Sequence, residues 1–492
     1  MIYLILLLAL GLRLVNLNQS LWLDEAVQAI TAQKSLTYIF QEIIGDFHPP
    51  LYHFLMHFWV RIFGSSEIAL RMPSVLFGVG TVLVINELTN YGLRIKKMTK
   101  LRINGLLVAI FLATAPFHIY YSQEARMYSL VTFLATASMY FFIKIIHELT
   151  NYELRINGLY LGYFISTLCL IYSDYYGFLI VLAQIIGGLI IFRKNFNFYI
   201  SKFLYIYLTI FLFYLPWLPF LITQFKTGLT ATTSLPEWGN LVNSSFIKAL
   251  PLTFVKFAIG RITVFDKRIY GLIVGFLGLG YGWLILRGIK RGKLFNCSSI
   301  QLLIGLWLIV PIFIAWLISL FIPNYQPFRL LLVLPAFYLL LSFGVSSINN
   351  KMIRNIIAGI IIGVNLISLG VYFFNPYFWR EDWRGVASYI RKEEISLVIS
   401  SDTFAWPLVY YGEEKNLIAV SKGISKIEER NKINLVTNLG QIKGQKLAYT
   451  PYLADLYDPG KKIPHWLAER GFVKIKEINF NQIPIWEYKL TD

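Results

Sequence analysis

The sequence predicts a mainly α-helical, polytopic membrane protein with a small α/β domain towards its C-terminal end. Of its 492 residues, 56% are hydrophobic and 16% aromatic, and the mean hydropathy is +0.58. Apolar runs recur at about 20 residues, the length of a helix that crosses a bilayer. After Phe374 the composition changes, and strand-like segments alternate with helix-like ones. We therefore expect about 11 to 13 transmembrane helices in residues 1–375 and a soluble domain in residues 376–492.

The transmembrane helices are predicted from the apolar runs. Residues 2–15 lack the small-residue cleavage site of a signal peptide and are predicted to be a span. Further spans are predicted at about residues 68–86, 105–121, 124–146, 159–173, 176–192, 203–222, 269–287, 301–322, 328–347 and 354–374.

The distribution of positive charge predicts the orientation. The formal net charge of +18 could suggest a nucleic-acid partner, but Lys and Arg collect in short loops between apolar runs, such as those around Lys97, Arg193 and Arg291. Such loops face the cytoplasm. Loops must alternate between the two sides of the membrane, which requires that residues 48–67 do not cross the bilayer. This short segment carries two prolines near its start. The N-terminus is then predicted inside, and residues 18–49 and the C-terminal domain outside.

Three further segments give weaker signals. Residues 223–267 are expected to form a long external loop, a candidate lid or acceptor-binding element. The repeat of ELTNYGLRI as ELTNYELRI is interpreted as a loop insertion, and Cys169 and Cys297 do not indicate a disulfide framework.

In the C-terminal domain, strands are predicted at 396–401, 448–450 and 472–480, and helices at 382–391 and 464–470.

The polar stretch of residues 20–51 follows the first span and carries most of the candidate chemistry. Its ionisable residues are Lys34 and a group of acids with one histidine: Asp24, Glu25, Glu42, Asp46 and His48. Such a cluster beside a membrane span favours an active site at the membrane surface. As alternatives, Ser20 could cap a helix whose first turn carries the two adjacent acids, and Asp46 to Pro50 could be a capped helix start.

A third signal is YSQEARMY, which places Glu124, Arg126 and Tyr128 at the entry of a predicted span. Its alternative is a structural ion pair between Glu124 and Arg126. Carboxylates, a histidine and an arginine at one interface suit a reaction in which a base deprotonates a hydroxyl and a cation receives a leaving phosphate. The same side chains could bind a divalent cation, although they show no fixed ligand spacing.

Four segments carry a family resemblance: SLWLDEA, DFHPPLYHFLMHFWVRIFGSSEIALRMPSVLFG, YSQEARMYSL and EDWRGVASYI. They resemble the bacterial membrane glycosyltransferases related to protein O-mannosyltransferases and to the aminoarabinose transferase of lipid A, the GT-C class. The resemblance covers residues 1–223 best. It implies a polyprenyl phosphate sugar as donor, an acceptor that is a lipid, a glycan or a protein, and an inverting reaction.

The resemblance also implies roles for individual residues. It places Asp24 in the position of the catalytic base with Glu25 beside it, and Asp46 and His48 in the lining of the same cavity. Substrate-binding positions are implied for Glu124, Arg126, Tyr128 and Arg329. At the last of these the family often shows Arg-Tyr, whereas here Leu330 follows the arginine.

Two other classes of protein remain as alternatives. A polytopic transporter or flippase would carry its ionisable residues near the middle of broken helices. A carbohydrate-binding or scaffold protein would use the C-terminal domain as its working part. Convergence of Asp24, Asp46, Glu124 and Arg126 on one cavity would favour the enzyme.

Overall fold

The computed structural model describes residues 1–491 except residue 46 and the segments 95–101, 151–156, 235–237, 240–241, 265, 292–297 and 422–445. Helices make up most of the chain before the C-terminal domain. They are α1 (Ile2–Leu14), α2 (Leu23–Ala32), α3 (Leu36–Gly45), α4 (Leu51–Phe63), α5 (Glu67–Arg94), α6 (Arg102–Ala113), α7 (Pro116–Ser122), α8 (Tyr128–Thr150), α9 (Asn157–Ile171), α10 (Gly177–Ile191), α11 (Phe196–Tyr214), α12 (Leu218–Ser234), α13 (Phe246–Ile259), α14 (Lys267–Arg291), α15 (Ser298–Ile318), α16 (Leu334–Ser346) and α17 (Lys351–Phe374).

The helices have the lengths and surfaces of a membrane protein. Within the described residues, seven helical stretches are long and apolar enough to cross a bilayer, or eight if the bent pair α6 and α7 is one span. The shorter apolar helices α1, α9 and α10 coincide with predicted spans. Large apolar side chains on α11 and α14, such as Phe211 and Phe276, are exposed and suited to contact acyl chains. The predicted fold class is confirmed, while the number of crossings and their orientation stay predictions.

The bend between α6 and α7 interrupts a predicted span. The two helices meet at 60°, and Pro116 occupies the first turn of α7. Proline lacks the N–H that would continue the helical hydrogen bonds, so α7 starts in a new direction. This direction carries the chain into the loop of residues 123–127, which contains Glu124 and Arg126.

The connection after α1 forms the three helices α2, α3 and α4. The last of these has 13 residues, which is shorter than the roughly 20 that cross a bilayer as a helix. The expectation that residues 48–67 do not cross fits this length.

Residues 223–267, predicted to form a long external loop, are in large part helical in α12 and α13, and their external position stays a prediction. The Thr-rich and Gly-containing end of α12 has a weak intrinsic helix propensity. Packing overrides it, since α12 lies against α3. The Nε2 of Gln224 on α12 also donates to the main-chain oxygens of Ile43 at 2.5 Å and His48 at 3.0 Å.

The C-terminal domain is built on a five-stranded sheet of order β2-β1-β3-β5-β4. Strands β1 and β2, and β1 and β3, are parallel, whereas β5 pairs antiparallel with β3 and β4. The predicted α/β character is confirmed, but two strands, β2 and β5, were not predicted. The elements are α18 (Trp383–Glu393), β1 (Ser396–Ser401), α19 (Trp406–Tyr410), β2 (Leu417–Ser421), β3 (Lys446–Tyr449), α20 (Ala454–Tyr457), α21 (Lys462–Glu469), β4 (Phe472–Asn479) and β5 (Pro484–Leu490).

This domain packs on the connection after α1. The guanidinium of Arg384 donates to the main-chain oxygen of Asn18 at 2.7 Å, and its main-chain N–H donates to the hydroxyl of Ser20 at 3.0 Å. The N–H of Leu21 donates to the hydroxyl of Tyr411 at 2.9 Å. Leu23, at the start of α2, packs against the apolar cluster around Phe404. The start of α2 is therefore held by the C-terminal domain.

Candidate active site

Asp24 lies in the first turn of α2 and carries an accessible carboxylate. Its side chain is 36% exposed, and its Oδ2 is 3.0 Å from Nη1 of Arg126. The expected Ser20 cap is wrong: the residue that precedes α2 is Trp22, which makes no side-chain cap. The hydroxyl of Ser20 is instead hydrogen bonded to the C-terminal domain.

Arg126 joins two of the predicted segments. Besides Asp24, its guanidinium contacts Nε2 of His48 at 3.2 Å and lies 5.8 Å from the centre of the Tyr128 ring. His48 precedes α4, and Tyr128 begins α8. The structure thus brings together four predicted site residues from three separate parts of the chain, with the guanidinium at their centre.

Glu25 points away from this group. Its side chain has no exposed surface, and both oxygens accept from Arg71, at 2.8 Å and 2.5 Å, while one also accepts the N–H of Ala125 at 2.8 Å. Burial alone would raise the pKa of Glu25, but Arg71, Arg380 and these hydrogen bonds hold it below its ordinary value. A carboxylate so enclosed does not meet a substrate, and the expectation of a catalytic Glu25 is corrected to a structural one.

Glu124 does not pair with Arg126 either. It is buried, and its Oε2 is 3.1 Å from Nη1 of Arg380. The same guanidinium donates to the main-chain oxygens of Tyr120 and Gln123. Sequence reasoning missed Arg380, although it directly precedes the EDWRGVASYI segment that carried part of the resemblance. Glu124 is therefore a docking point for the C-terminal domain.

Glu381 is a second residue that was missed. Its two oxygens accept from Nε1 of Trp383 at 2.8 Å and from the hydroxyl of Tyr452 at 2.9 Å. Burial, and more weakly the charge of Asp24, raise the pKa of this carboxyl. The C-terminal domain thus places an acid within electrostatic reach of Asp24.

Two further arginines supply positive charge. Arg329 is half-buried in the turn of 3-10 helix at Pro327–Val333, and its charge reaches Tyr128 and Asp174. Arg261, which was not predicted, is exposed and donates to the hydroxyl of Tyr120 at 2.6 Å. Neither arginine forms an ion pair with a carboxylate of the described residues.

The free space around Arg126 is small. A cavity of about 10 Å³ lies between Arg126, His48 and Tyr52. A larger one of about 760 Å³ lies elsewhere, between the end of α1 and the C-terminal domain.

Within the described residues, no group of three or more His, Cys, Asp or Glu is placed to hold a metal ion. The carboxylate of Asp24 contacts the guanidinium of Arg126, which in turn contacts the imidazole of His48. Asp46, the other predicted acid, lies outside the described residues.

Solved structures share this architecture. The oligosaccharyltransferase of Archaeoglobus fulgidus, in complex with Zn and sulfate, has a TM-score of 0.56 and 13% identity over 97% of this chain and 71% of that chain. ArnT from Cupriavidus metallidurans, bound to undecaprenyl phosphate, has a TM-score of 0.56 and 11% identity over 99% and 97%. AglB from Archaeoglobus fulgidus, with an inhibitory peptide and a dolichol-phosphate, has a TM-score of 0.54 and 12% identity over 96% and 72%.

No protein-family profile and no curated protein matches the sequence. The shared structure nevertheless defines the class of fold: the chain has the GT-C fold of membrane glycosyltransferases, as the resemblance predicted. At identities of 11% to 13%, the likeness shows the fold alone.

Proposed function

We propose that this protein is an integral membrane glycosyltransferase. It moves a sugar from a polyprenyl-phosphate-linked donor to the hydroxyl of an extracytoplasmic acceptor, which is a lipid, a glycan or a protein, with inversion at the anomeric carbon. Asp24 is the general base. The fold and the accessible ion pair at Asp24 support this function together.

The observation that carries the proposal is the different state of three neighbouring acids. Glu25 and Glu124 are buried and engaged by Arg71 and Arg380. Asp24 alone of the three is accessible, and it faces a guanidinium that is itself 16% exposed. A proton acceptor beside a phosphate-binding cation is what direct displacement from a lipid phosphate requires.

The proposed reaction is a direct displacement at the anomeric carbon of the donor sugar. The acceptor oxygen attacks the anomeric carbon and forms the new C–O bond, while its proton passes to a carboxylate oxygen of Asp24. The bond between the anomeric carbon and the phosphate oxygen breaks, and its electron pair leaves with the polyprenyl phosphate. Arg126 neutralises the charge that develops on that phosphate.

Other residues bind and orient the substrates in this mechanism. Arg329 and Arg261 add positive charge, since neither is paired with a described carboxylate. His48 and Tyr128 fix the guanidinium of Arg126 through the contacts described above. The two neighbouring folds solved with undecaprenyl phosphate and with dolichol-phosphate support a lipid phosphate as the donor carrier.

The transporter alternative is less well supported by the geometry. Asp24, Arg71 and Arg126 all lie at helix ends or in the adjoining loops. A transport pathway would favour ionisable groups near the middle of broken helices. The scaffold alternative would leave an accessible acid and guanidinium without a role.

The substitution Asp24→Asn tests the proposal. It keeps the shape of the side chain but removes the proton acceptor, so transfer from a panel of polyprenyl phosphate sugars should fall about 100- to 10,000-fold. Asp455→Asn, an exposed aspartate on α20, is the matched control and should keep native rates. A folded Asp24→Asn protein that transfers sugar at the native rate would place the base elsewhere, with Asp46 as the next candidate.

A further inference from the structure

A second cleft lies apart from the cavity beside Arg126. It has a volume of about 760 Å³, and Asp24, His48 and Arg126 are not among its lining residues. Its walls come from the end of α1 with the connection that follows, the segment that leads into α18, and the turn between β4 and β5. The volume lies within the range of roughly 300 to 1,000 Å³ that small-molecule sites occupy.

Side-chain amides dominate the cleft. They are Asn16, Asn18, Gln19, Asn479, Asn481 and Gln482. Several of them use one polar atom to hold the main chain. Nδ2 of Asn16 donates to the oxygen of Phe373, and Oε1 of Gln19 accepts the N–H of Arg380, both at 2.9 Å.

The remaining polar atoms of these amides are available. Oδ1 of Asn16, Nε2 of Gln19 and the whole side-chain amide of Asn18 form no hydrogen bond within the described part of the chain. On the facing turn, Nε2 of Gln482 donates to the oxygen of Trp379 at 3.1 Å, which leaves its Oε1 unused. The cleft therefore presents both donors and acceptors.

The charged residues of the cleft are already engaged. Arg380 pairs with Glu124, and Arg384 pairs with Glu67 at 3.6 Å. Oδ1 of Asp382 accepts the N–H of Gly385 at 2.9 Å. Both arginines are paired with carboxylates and Asp382 adds a negative charge, so the cleft suits an uncharged ligand better than a phosphate or a carboxylate.

Aromatic surface adjoins the amides. Trp379 and Tyr377 both line the cleft. Nε1 of Trp379 donates to the oxygen of Phe373 at 3.1 Å, which fixes the plane of the ring. A fixed aromatic ring is a flat apolar surface on which the C–H face of a sugar can stack.

Unusual main-chain conformations concentrate at the same place. Six non-glycine residues in the described part of the chain have positive φ, and three of them line this cleft: Asn16 at 55°, Asn481 at 44° and Gln482 at 77°. Such conformations are disfavoured for residues with a Cβ and cluster at functional sites. At each of these three positions the residue carries a side-chain amide, whose hydrogen-bonding atoms a glycine would lack.

We propose that this cleft binds an uncharged glycan, separately from the site at Asp24. Neighbouring sugar hydroxyls both donate and accept hydrogen bonds, and an amide offers both functions in one plane. Trp379 would stack on one sugar ring while amides from the two opposing walls bind its hydroxyls. The proposal rests on the composition of the cleft and does not require that the Asp24 site transfers sugar.

The double variant Asn18→Ala, Gln482→Gly tests it. Asn18 has no side-chain hydrogen bond to lose. Gln482→Gly loses one exposed hydrogen bond, to the oxygen of Trp379, but glycine accepts the positive φ of residue 482 without strain, so the fold should be kept. The full-length protein in lipid nanodiscs is applied to an array of neutral and anionic oligosaccharides, and mannotriose, maltotriose and chitotriose are titrated in solution. We expect binding to at least one neutral glycan, weakened about tenfold or more in the variant.

Two further variants serve as controls for this experiment. Lys461→Gly changes a positive-φ residue outside the cleft and should bind as the wild type does. Asp24→Asn should also bind normally, which separates this proposal from the proposed transfer reaction. The proposal would be overturned if no neutral glycan binds, if only anionic glycans or peptides bind, or if the double variant binds as tightly as the wild type.

Discussion

Asp24 and Glu25 are adjacent in the chain, yet their environments are opposite. Successive residues of a helix point about 100° apart, so one carboxylate faces Arg126 while the other enters the interior beside Arg71. One acid is available for chemistry, and the other fixes the helix that presents it. The sequence shows two adjacent acids, but it does not show which one is buried and which one is accessible.

Arg126 is the cation on which the proposed reaction depends. Arg126→Ala removes the group that faces both Asp24 and the leaving phosphate, so the transfer rate should fall about 100- to 1,000-fold. Arg126→Lys should recover only part of the activity, because an ammonium lacks the fork of the guanidinium. The measurement is steady-state transfer with one polyprenyl phosphate sugar, with thermal unfolding recorded in parallel.

Arg61→Ala is the control for this experiment. Arg61 is exposed in the last turn of α4, and its loss should leave the rate within a factor of about two. Unchanged kinetics in a folded Arg126→Ala protein would remove Arg126 from the site.

The ion pair of Glu25 and Arg71 ties helix α2 to helix α5. Arg71 also donates to the main-chain oxygens of Leu17 and Gln19 at 2.8 Å and 2.6 Å, so one guanidinium holds the segment between α1 and α2 as well. Removing one partner of a buried pair costs about 3 to 5 kcal/mol. Glu25→Gln should therefore lower the thermal stability strongly at neutral pH.

The pH dependence of that loss has a definite sign. The folded state holds the pKa of Glu25 below its ordinary value of 4.5, so its stabilisation is present above that value and is lost as the pH falls through the folded pKa. The melting temperatures of wild type and Glu25→Gln should then converge as the pH drops below about 4. Glu42→Gln, at an exposed acid on α3, should melt like the wild type throughout. A gap that stays constant with pH would contradict the pair.

Local patterns predicted the individual elements well. The strand at Ser396–Ser401 and the helix at Trp383–Glu393 follow the predicted positions closely, because both have clear hydrophobic periodicity. Strand β5 and helix α12 were missed or misassigned. The first depends on pairing with β3 and β4, and the second on packing against α3, which local pattern does not contain.

The site was predictable as a set of residues but not as a set of contacts. Of the four residues expected to converge, Asp24 contacts Arg126, Glu124 pairs with Arg380 instead, and Asp46 lies outside the described residues. The partners of Glu25 and Glu124 lie 46 and 256 residues away along the chain. Composition cannot select one arginine among many at such separations, and the alternative of an ion pair between Glu124 and Arg126 was wrong.

The orientation of the whole molecule remains to be measured. With Cys169 and Cys297 replaced by serine, single cysteines are introduced in place of Asn18, Lys194 and Lys461. Because basic short loops stay inside, an impermeant maleimide should label positions 18 and 461 in intact cells and position 194 only after permeabilisation. Equal labelling of positions 18 and 194 in intact cells would contradict the proposed topology.

Arg380 has a consequence for how the protein is made. Its partner Glu124 is synthesised 256 residues earlier, so most of the helices are inserted before the matching positive charge leaves the ribosome. Until then a carboxylate destined for the interior has no counter-charge, and an unpaired charge there is costly. The C-terminal segment can pack against the loop that contains Arg126 only after the residues beyond α17 have been translated. In the proposed topology they must also have been exported. We therefore expect the newly made protein to lack the proposed activity while its C-terminal domain is still being exported, and a chain truncated before residue 380 to remain incompletely folded.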